Sequence, residues 1–235
     1  MKVAILLLAA GRGTRFGGSV PKAYLPLAGV PLVQHAAERL ARAVDLRAGH
    51  HLVLVAHPDD WATWLSPAWP ALQALGDVRL AHGGDTRQQS MANGLAAADP
   101  DVELVLVHDA ARALVPIAAT RKCLAAAAAH GAALLALPAN DTLKRVANGL
   151  VTTTVDRTGI WQAQTPQIVR KDLLLRAFAH AAATGFAGTD DVSLVEQLGA
   201  EVAVVEGSPY NLKVTHPPDL ALAAAILGSG LLDQA

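Results

Sequence analysis

The sequence predicts an α/β protein: a mostly parallel, twisted sheet with helices on both faces, plus a protruding β-hairpin arm. Three observations carry this. Short, nearly continuous apolar runs alternate with helical patterns, as in a sheet buried on both faces. Polar residues gather just past the C-terminal ends of those runs: Arg12 and Arg15, Asp85 and Arg87, Asp109 and Arg112. Ligands of open α/β sheets bind at that edge. Finally, Asn148–Gly149 joins two β-rich segments, a strong short-range hairpin signal because both residues accept positive φ.

Taken in order, Val3 to Leu8 reads as a buried strand that ends in small residues and glycines. Pro31 opens an amphipathic helix with Leu32, Val33, Ala36, Leu40 and Val44 on its apolar side. His51 to Ala56 is a second strand, and Trp61 to Leu75 an irregular helix broken by Pro67 and Pro70. Val78 to His82 is a third strand, followed by Gly83–Gly84–Asp85 and a helix from Thr86 to Ala98. Glu103 to Asp109 is a fourth strand, Ile117 to Ala129 a helix, and Ala132 to Leu137 a fifth strand.

The pattern then changes. Asp141 to Val146 and Leu150 to Val155 flank the Asn-Gly turn and carry too many polar residues to bury two faces. An isolated two-stranded hairpin is marginal in water. The arm, at about 139–159, is therefore expected either to pack on something else, a second copy of the chain being one choice, or to stand as a solvent-exposed flap. Helices at Lys171–Ala183 and Val192–Leu198, a strand at Glu201–Val205, an extended segment at Asn211–His216 and a helix from Pro217 to Leu227 complete the chain. No repeat or interdomain linker interrupts it, so 1–235 reads as one domain bearing an arm.

Composition narrows the classes. The chain has 235 residues, is 52% hydrophobic and is poor in aromatics, at 4%, so the core is aliphatic with close helix–sheet contacts. A formal net charge of −1 argues against a nucleic-acid or membrane surface. One cysteine, Cys123, rules out a disulfide framework and a multi-cysteine zinc site. The apolar run after Lys2 is too short for a signal peptide, and no stretch reaches the ~18 residues a membrane span needs. The expectation is a cytoplasmic protein.

The loop after the first strand is the chemical centre. Gly11 and Gly13 let backbone N–H groups approach an anion, and Arg12, Arg15 and Lys22 supply positive charge with no acid before Glu38. The reading is a nucleoside triphosphate cradle; a tight turn with surface cations is the plainer alternative. Phe16 stands where a dinucleotide fingerprint needs its third glycine, and no Walker A motif exists. What remains is Leu-Ala-Ala-Gly-x-Gly-Thr-Arg from Leu8 to Arg15, with Pro21–Lys22 downstream. This resembles the loop of nucleotidyltransferases that activate sugars and polyols.

Later segments narrow the resemblance. Val107–Arg112 (Val-His-Asp-Ala-Ala-Arg), Asp141–Arg145, Thr154–Trp161, Gln164–Gln167, Thr189–Asp190 and Asn211–Thr215 (Asn-Leu-Lys-Val-Thr) occur in order. Together they resemble the 2-C-methyl-D-erythritol 4-phosphate cytidylyltransferases of non-mevalonate isoprenoid synthesis, from Val3 to about Leu227. The resemblance implies a Rossmann-like nucleotidyltransferase fold and a reaction of CTP with a polyol phosphate in the presence of Mg²⁺. It implies that Arg15 and Lys22 stabilise the transition state at the α-phosphate, with Lys213 near the same phosphate. Ala9, Ala10, Gly11 and Gly13 would cradle CTP, and Gly84, Asp85 and Ser90 would surround its base and ribose. Asp109, Arg112, Thr142, Arg157 and Thr189 would form the polyol-phosphate site. Thr142 and Arg157 would come from the arm of a partner subunit, which makes a homodimer the expected assembly. Three positions depart from the family pattern: Ala113, His216 and Thr14.

The chemistry suits these residue types. A phosphate monoester is largely dianionic at neutral pH, since its second pKa is about 6, and needs no general base. The barrier lies in joining two polyanions and in stabilising charge on the α-phosphorus and the leaving pyrophosphate, so positioning and cations do the catalysis. Any Mg²⁺ would be held mainly by triphosphate oxygens. A cytidylyltransferase for ribitol 5-phosphate and a non-catalytic CTP-binding regulator are the rival readings. Individual residues keep simpler roles open: Asp85 as N-cap of the helix at Thr86, Asp109 as a helix cap, Arg157 as a surface strand residue.

Overall fold

The computed structural model describes residues 1–11, 16 and 19–233, so Arg12, Gly13, Thr14 and Arg15 lie outside the described residues. Among those described, eleven strands and seven α-helices follow one another. The strands are β1 (Val3–Leu8), β2 (Pro26–Leu27), β3 (Val30–Pro31), β4 (His51–Ala56), β5 (Val78–His82), β6 (Leu104–Asp109), β7 (Ala132–Pro138), β8 (Leu143–Ala147), β9 (Leu150–Val155), β10 (Trp161–Arg170) and β11 (Ala203–Glu206). The helices are α1 (Leu32–Ala43), α2 (Trp69–Gln73), α3 (Arg87–Ala96), α4 (Ile117–His130), α5 (Lys171–Thr184), α6 (Asp191–Glu196) and α7 (Pro217–Gly228).

Seven strands form one sheet in the order β11-β7-β10-β6-β1-β4-β5. Parallel ladders join β1 to β4 and β6, β4 to β5, and β7 to β11. Only β10 runs against its neighbours, β6 and β7. The apolar runs supply both faces by strict alternation. Ile5, Leu7, Leu52, Leu54, Leu104 and Leu106 pack under Val33, Ala36 and Leu40 of α1 and Cys123 and Ala127 of α4. Leu6, Val53, Val55, Val105 and Val107 face Met91 and Leu95 of α3, Leu174 and Ala177 of α5, and Val192 and Val195 of α6. Burying each such aliphatic side chain contributes about 1.5–3 kcal/mol. Small residues set the helix–sheet distance: a Cβ on Gly94 of α3 would lie 2.7 Å from a Val55 methyl.

β10 is the element the sequence reading missed. Pro166 argues against a central strand because it cannot donate to a ladder. The chain accommodates it with a register irregularity between Ala163 and Gln167 and a cis Thr165–Pro166 peptide, and pairs normally on either side. Other departures are small. The Trp61–Leu75 region resolves into a π-helical turn, Trp61–Leu65, and α2, with Pro70 in its first turn where no donor is needed. Asn211–His216, expected only as an extended segment, forms neither strand nor helix. The hairpin forms as expected, with Asn148 at φ 51° and Gly149 at φ 78°.

Candidate active site

Four strand ends and the loops beyond them enclose a cleft of about 440 Å³ at the C-terminal edge of the sheet. Its wall runs from Leu8–Gly11 through Lys22 and His57, past Gly84–Arg87 and Ser90, to Asp109, Ala111 and Lys213. Parallel registry aligns these pieces. Ala9 N–H donates to Val55 O, Gly83 N–H to Ala56 O and Ala110 N–H to Leu8 O, so three loops leave the sheet side by side. A Cβ on Gly83 would collide with that of Ala10, so the two loops approach this closely only with glycine there. Ser90, buried on α3, accepts from Gly84 N–H at 3.0 Å and fixes the second loop. Lys22 begins a single helical turn, Lys22–Tyr24, whose Ala23 and Tyr24 are buried, and this anchors the lysine on the cleft wall.

The helix after β5 begins one residue later than expected. Thr86 is the N-cap, its hydroxyl accepting from Gln89 N–H at 3.0 Å, and α3 starts at Arg87. Asp85 is therefore not the cap and stands exposed on the cleft margin. Asp109 does not cap a helix either, for α4 begins at Ile117. Its carboxylate instead joins two cations: Oδ1 accepts from Arg87 at 2.8 Å and Oδ2 from Lys213 Nζ at 2.6 Å. The other arm of the Arg87 guanidinium donates to Asp191 Oδ1.

Burial and charge compete throughout this cluster. Burial by itself would raise the Asp109 carboxyl, but Arg87 and Lys213 outweigh it and hold the group well below the usual carboxylate range. Burial opposes the Arg87 charge too, and its two carboxylates overcome that and raise its pKa. At Asp191 burial wins: the carboxyl is pushed up to about 6, and its Oδ2 is buried without a hydrogen-bond partner among the described residues. Burial pushes His108 down to about 4, leaving a neutral ring that bonds Thr165 Oγ1 and Arg112 O. Thr165 Oγ1 in turn accepts from Asp109 N–H at 3.2 Å. A buried chain from β6 to β10 thus sets the carboxylate's backbone.

Among the residues expected at the site, Ala9, Ala10, Gly11, Lys22, Gly84, Asp85, Ser90, Asp109 and Lys213 line the cleft together. Arg112 is placed differently: its guanidinium donates to Asn211 O at 2.7 Å and Ala163 O at 3.5 Å, bracing the loop that carries Lys213. Thr189 is exposed just before Asp190, the N-cap of α6, two residues from the carboxylate that holds Arg87. Thr142 and Arg157 flank the hairpin, exposed and outside the cleft wall. Gly13 and Arg15 lie outside the described residues. Of the departing positions, Ala113 is buried beneath α7, and His216 precedes that helix, its N–H donating to Asp219 Oδ2 at 2.8 Å.

Arg87 was expected at this sheet edge but not its pairing with Asp109 and Asp191, and Asp191, His108 and Thr165 were not foreseen in the cluster. One signal did exist. Arg87 is the first residue of a helix whose opening turn contains no acid, an unfavourable end of the dipole for a cation. Carboxylates from elsewhere offset that position, and Arg87 has two.

Comparison with known proteins adds a family and a fold match. The sequence pattern of the family described as IspD: 2-C-methyl-D-erythritol 4-phosphate cytidylyltransferase matches residues 3–229. The protein of that name from Chromobacterium violaceum is 45% identical, across 95% of this chain and 97% of its own. The one from Acidobacterium capsulatum is 42% identical, across 97% and 98%. Among solved structures, 2-C-methyl-D-erythritol 4-phosphate cytidylyltransferase from Thermus thermophilus superposes with a TM-score of 0.75 at 34% identity, covering 96% of this chain and 98% of that one. The 4-diphosphocytidyl-2C-methyl-D-erythritol synthase from Anaerococcus prevotii gives 0.80 at 27%, with the same coverage.

Proposed function

The chain belongs to the 2-C-methyl-D-erythritol 4-phosphate cytidylyltransferase family, and from that premise we propose how its cleft carries out the reaction. The enzyme joins CTP to 2-C-methyl-D-erythritol 4-phosphate, giving 4-diphosphocytidyl-2-C-methyl-D-erythritol and pyrophosphate. A phosphate oxygen of the polyol forms a bond to the CTP α-phosphorus while the bond from that phosphorus to the β-phosphate bridging oxygen breaks. The observation that carries the reading is the convergence of Lys22, Lys213 and Asp109 on one cleft beside the Ala9–Gly11 loop. The loop and Lys22, with Arg15, take the triphosphate; Gly84, Asp85 and Ser90 take the base and ribose. Asp109 accepts from a polyol hydroxyl, and Lys213 draws the attacking phosphate toward the α-phosphorus. Cations placed where charge develops are the main catalytic contribution.

Mg²⁺ fits this cleft as an ion carried on the triphosphate. Among the described residues no three His, Cys, Asp or Glu side chains gather to hold a metal, and both Asp109 oxygens are engaged by cations. Asp85, exposed on the cleft margin, would supply one further carboxylate. When bound, the ion would offset charge on the phosphates.

We also propose a homodimer acting in the cytoplasm, a single nucleotidyltransferase domain with the arm at about 139–159 reaching its partner. Val146, Leu150 and Val151 are each more than half exposed on the arm, and Thr142 and Arg157 lie outside their own subunit's cleft wall. No helix among the described residues is long and apolar enough to cross a membrane.

The deciding assay measures pyrophosphate release for each pairing of CTP or UTP with methylerythritol phosphate or ribitol 5-phosphate. Ready turnover of ribitol phosphate without methylerythritol phosphate would overturn the substrate assignment. CTP binding without pyrophosphate from any acceptor would make the protein a regulator. Shared sites are tested by mixing two inactive variants, Lys22→Ala and Arg157→Ala. Equimolar exchange should restore about a quarter of wild-type activity, since half the dimers are mixed and each mixed dimer keeps one intact site. No recovery after demonstrated exchange would rule shared sites out.

A further inference from the structure

We propose that Arg87 is a positioning residue that keeps Asp109 neutralised while Lys213 exchanges from Asp109 to the incoming phosphate. The inference rests on the cytidylyltransferase reading and concerns a residue with no part in that scheme so far. As it stands, Lys213 is committed: its Nζ lies 2.6 Å from Asp109 Oδ2, and a lysine held there has spent most of its charge on a carboxylate. To serve a dianionic phosphate it must move, and the carboxylate it leaves has a side chain only 13% exposed. Stripping a buried carboxylate of its countercharge is strongly unfavourable unless another cation remains.

Arg87 is that cation. It bonds the other oxygen, Oδ1, so the two cations do not compete for one atom. The two differ in freedom. Lys213 reaches in from an irregular loop and its side chain is 40% exposed. Arg87 opens α3, and its second arm is fixed to Asp191, a buried residue whose backbone N–H donates to Gln167 Oε1 at 2.9 Å. An arginine fork can hold two carboxylates in fixed geometry, which a lysine cannot do. The cluster thus has a stationary partner and a departing one. Arg112, close enough for its charge to act on Asp109, turns its two terminal nitrogens to the carbonyls of Asn211 and Ala163, and its buried Nε, without a partner among the described residues, bonds neither Asp109 oxygen.

The test compares Arg87→Gln, Asp109→Asn and the double variant by pyrophosphate release under saturating CTP, with CTP affinity measured calorimetrically. Arg87→Gln should lose on the order of tenfold to a hundredfold in kcat/KM for the polyol phosphate, with CTP affinity roughly unchanged. In the Asp109→Asn background, where position 109 no longer needs a countercharge and Asp191 alone still pairs with Arg87, adding Arg87→Gln should cost much less than it does in the wild type. Arg87→Lys should recover part of the loss, and it carries the test if the glutamine variant does not fold. A merely structural role predicts CTP affinity falling in parallel and losses that multiply in the double variant; either result overturns the proposal. Wild-type protein that releases no pyrophosphate from this substrate pair overturns the parent reading and the exchange with it. Active wild type with an indifferent Arg87→Gln overturns the exchange alone.

Discussion

The cleft and the hairpin arm both carry residues proposed for the site, yet they are built from opposite materials. At the cleft, charged groups sit at the ends of buried strands, and every carboxylate oxygen of Asp109 has a partner from another element. On the arm, β8 and β9 pair only with each other, Val146, Leu150 and Val151 face outward, and hydrogen bonds such as Lys144 to Thr154 stay within the hairpin. The described parts of the cleft come together within one subunit, because the sheet aligns them and the core holds them. A two-stranded ribbon has no core of its own and is marginal in water unless another surface covers it.

The contrast can be broken from the cleft side first. Lys22→Ala should lower turnover by roughly 10²–10³, or about 3–4 kcal/mol in the barrier, with the fold unchanged by circular dichroism. An effect confined to CTP affinity would move Lys22 from catalysis to binding.

A second prediction uses pH. The buried His108 ring is neutral with its pKa near 4, against about 6.5 in an unfolded chain. The unfolded state therefore binds the extra proton first. His108 disfavours the native state progressively as pH falls from about 6.5 to about 4, by up to about 3 kcal/mol. Asp191, raised to about 6, acts in the opposite sense between roughly pH 4 and 6, because there the native state holds the extra proton. Denaturant unfolding of His108→Gln across this range should show a smaller loss of stability toward acid than the wild type. Parallel profiles would mean that another group governs acid stability.

Third in size is Gly94→Ala. Its Cβ would meet Val55 at 2.7 Å, so α3 must shift away from the sheet. A destabilisation of about 1–3 kcal/mol should appear as a lower Tm. Activity should fall as well, since α3 carries both Arg87 and Ser90.

The smallest effect belongs to the arm. Leu150→Ser removes an exposed side chain and should change the unfolding free energy of the isolated subunit by about 0.5 kcal/mol or less. It should nonetheless weaken self-association measured by sedimentation if a partner covers the arm. Unchanged association would return the hairpin to a solvent-exposed flap.

Much of this was legible in the chain. The apolar runs at Val3–Leu8, His51–Ala56 and Leu104–Asp109 announce themselves because a strand buried on both faces can carry almost nothing polar. Asn148–Gly149 marks its turn because few other pairs accept positive φ twice. Helix starts were less certain, since Asp85 and Thr86 are both good caps and only the backbone decides between them. β10 was illegible for a specific reason: Pro166 denies it a strand pattern, and the irregularity that accommodates the proline depends on β7 lying alongside.

The sequence by itself determined the fold class, the sheet edge at which the cleft opens and, through its motifs, the family. Those properties follow from periodicity and local backbone preference, which act over a few residues. Only the tertiary structure decided that Arg87 lies between Asp109 and Asp191, 22 and 104 residues away along the chain. It also decided that Lys213 rests on the carboxylate it shares with Arg87. Charge pairing over such separations leaves no periodic trace, because it depends on which strands become neighbours.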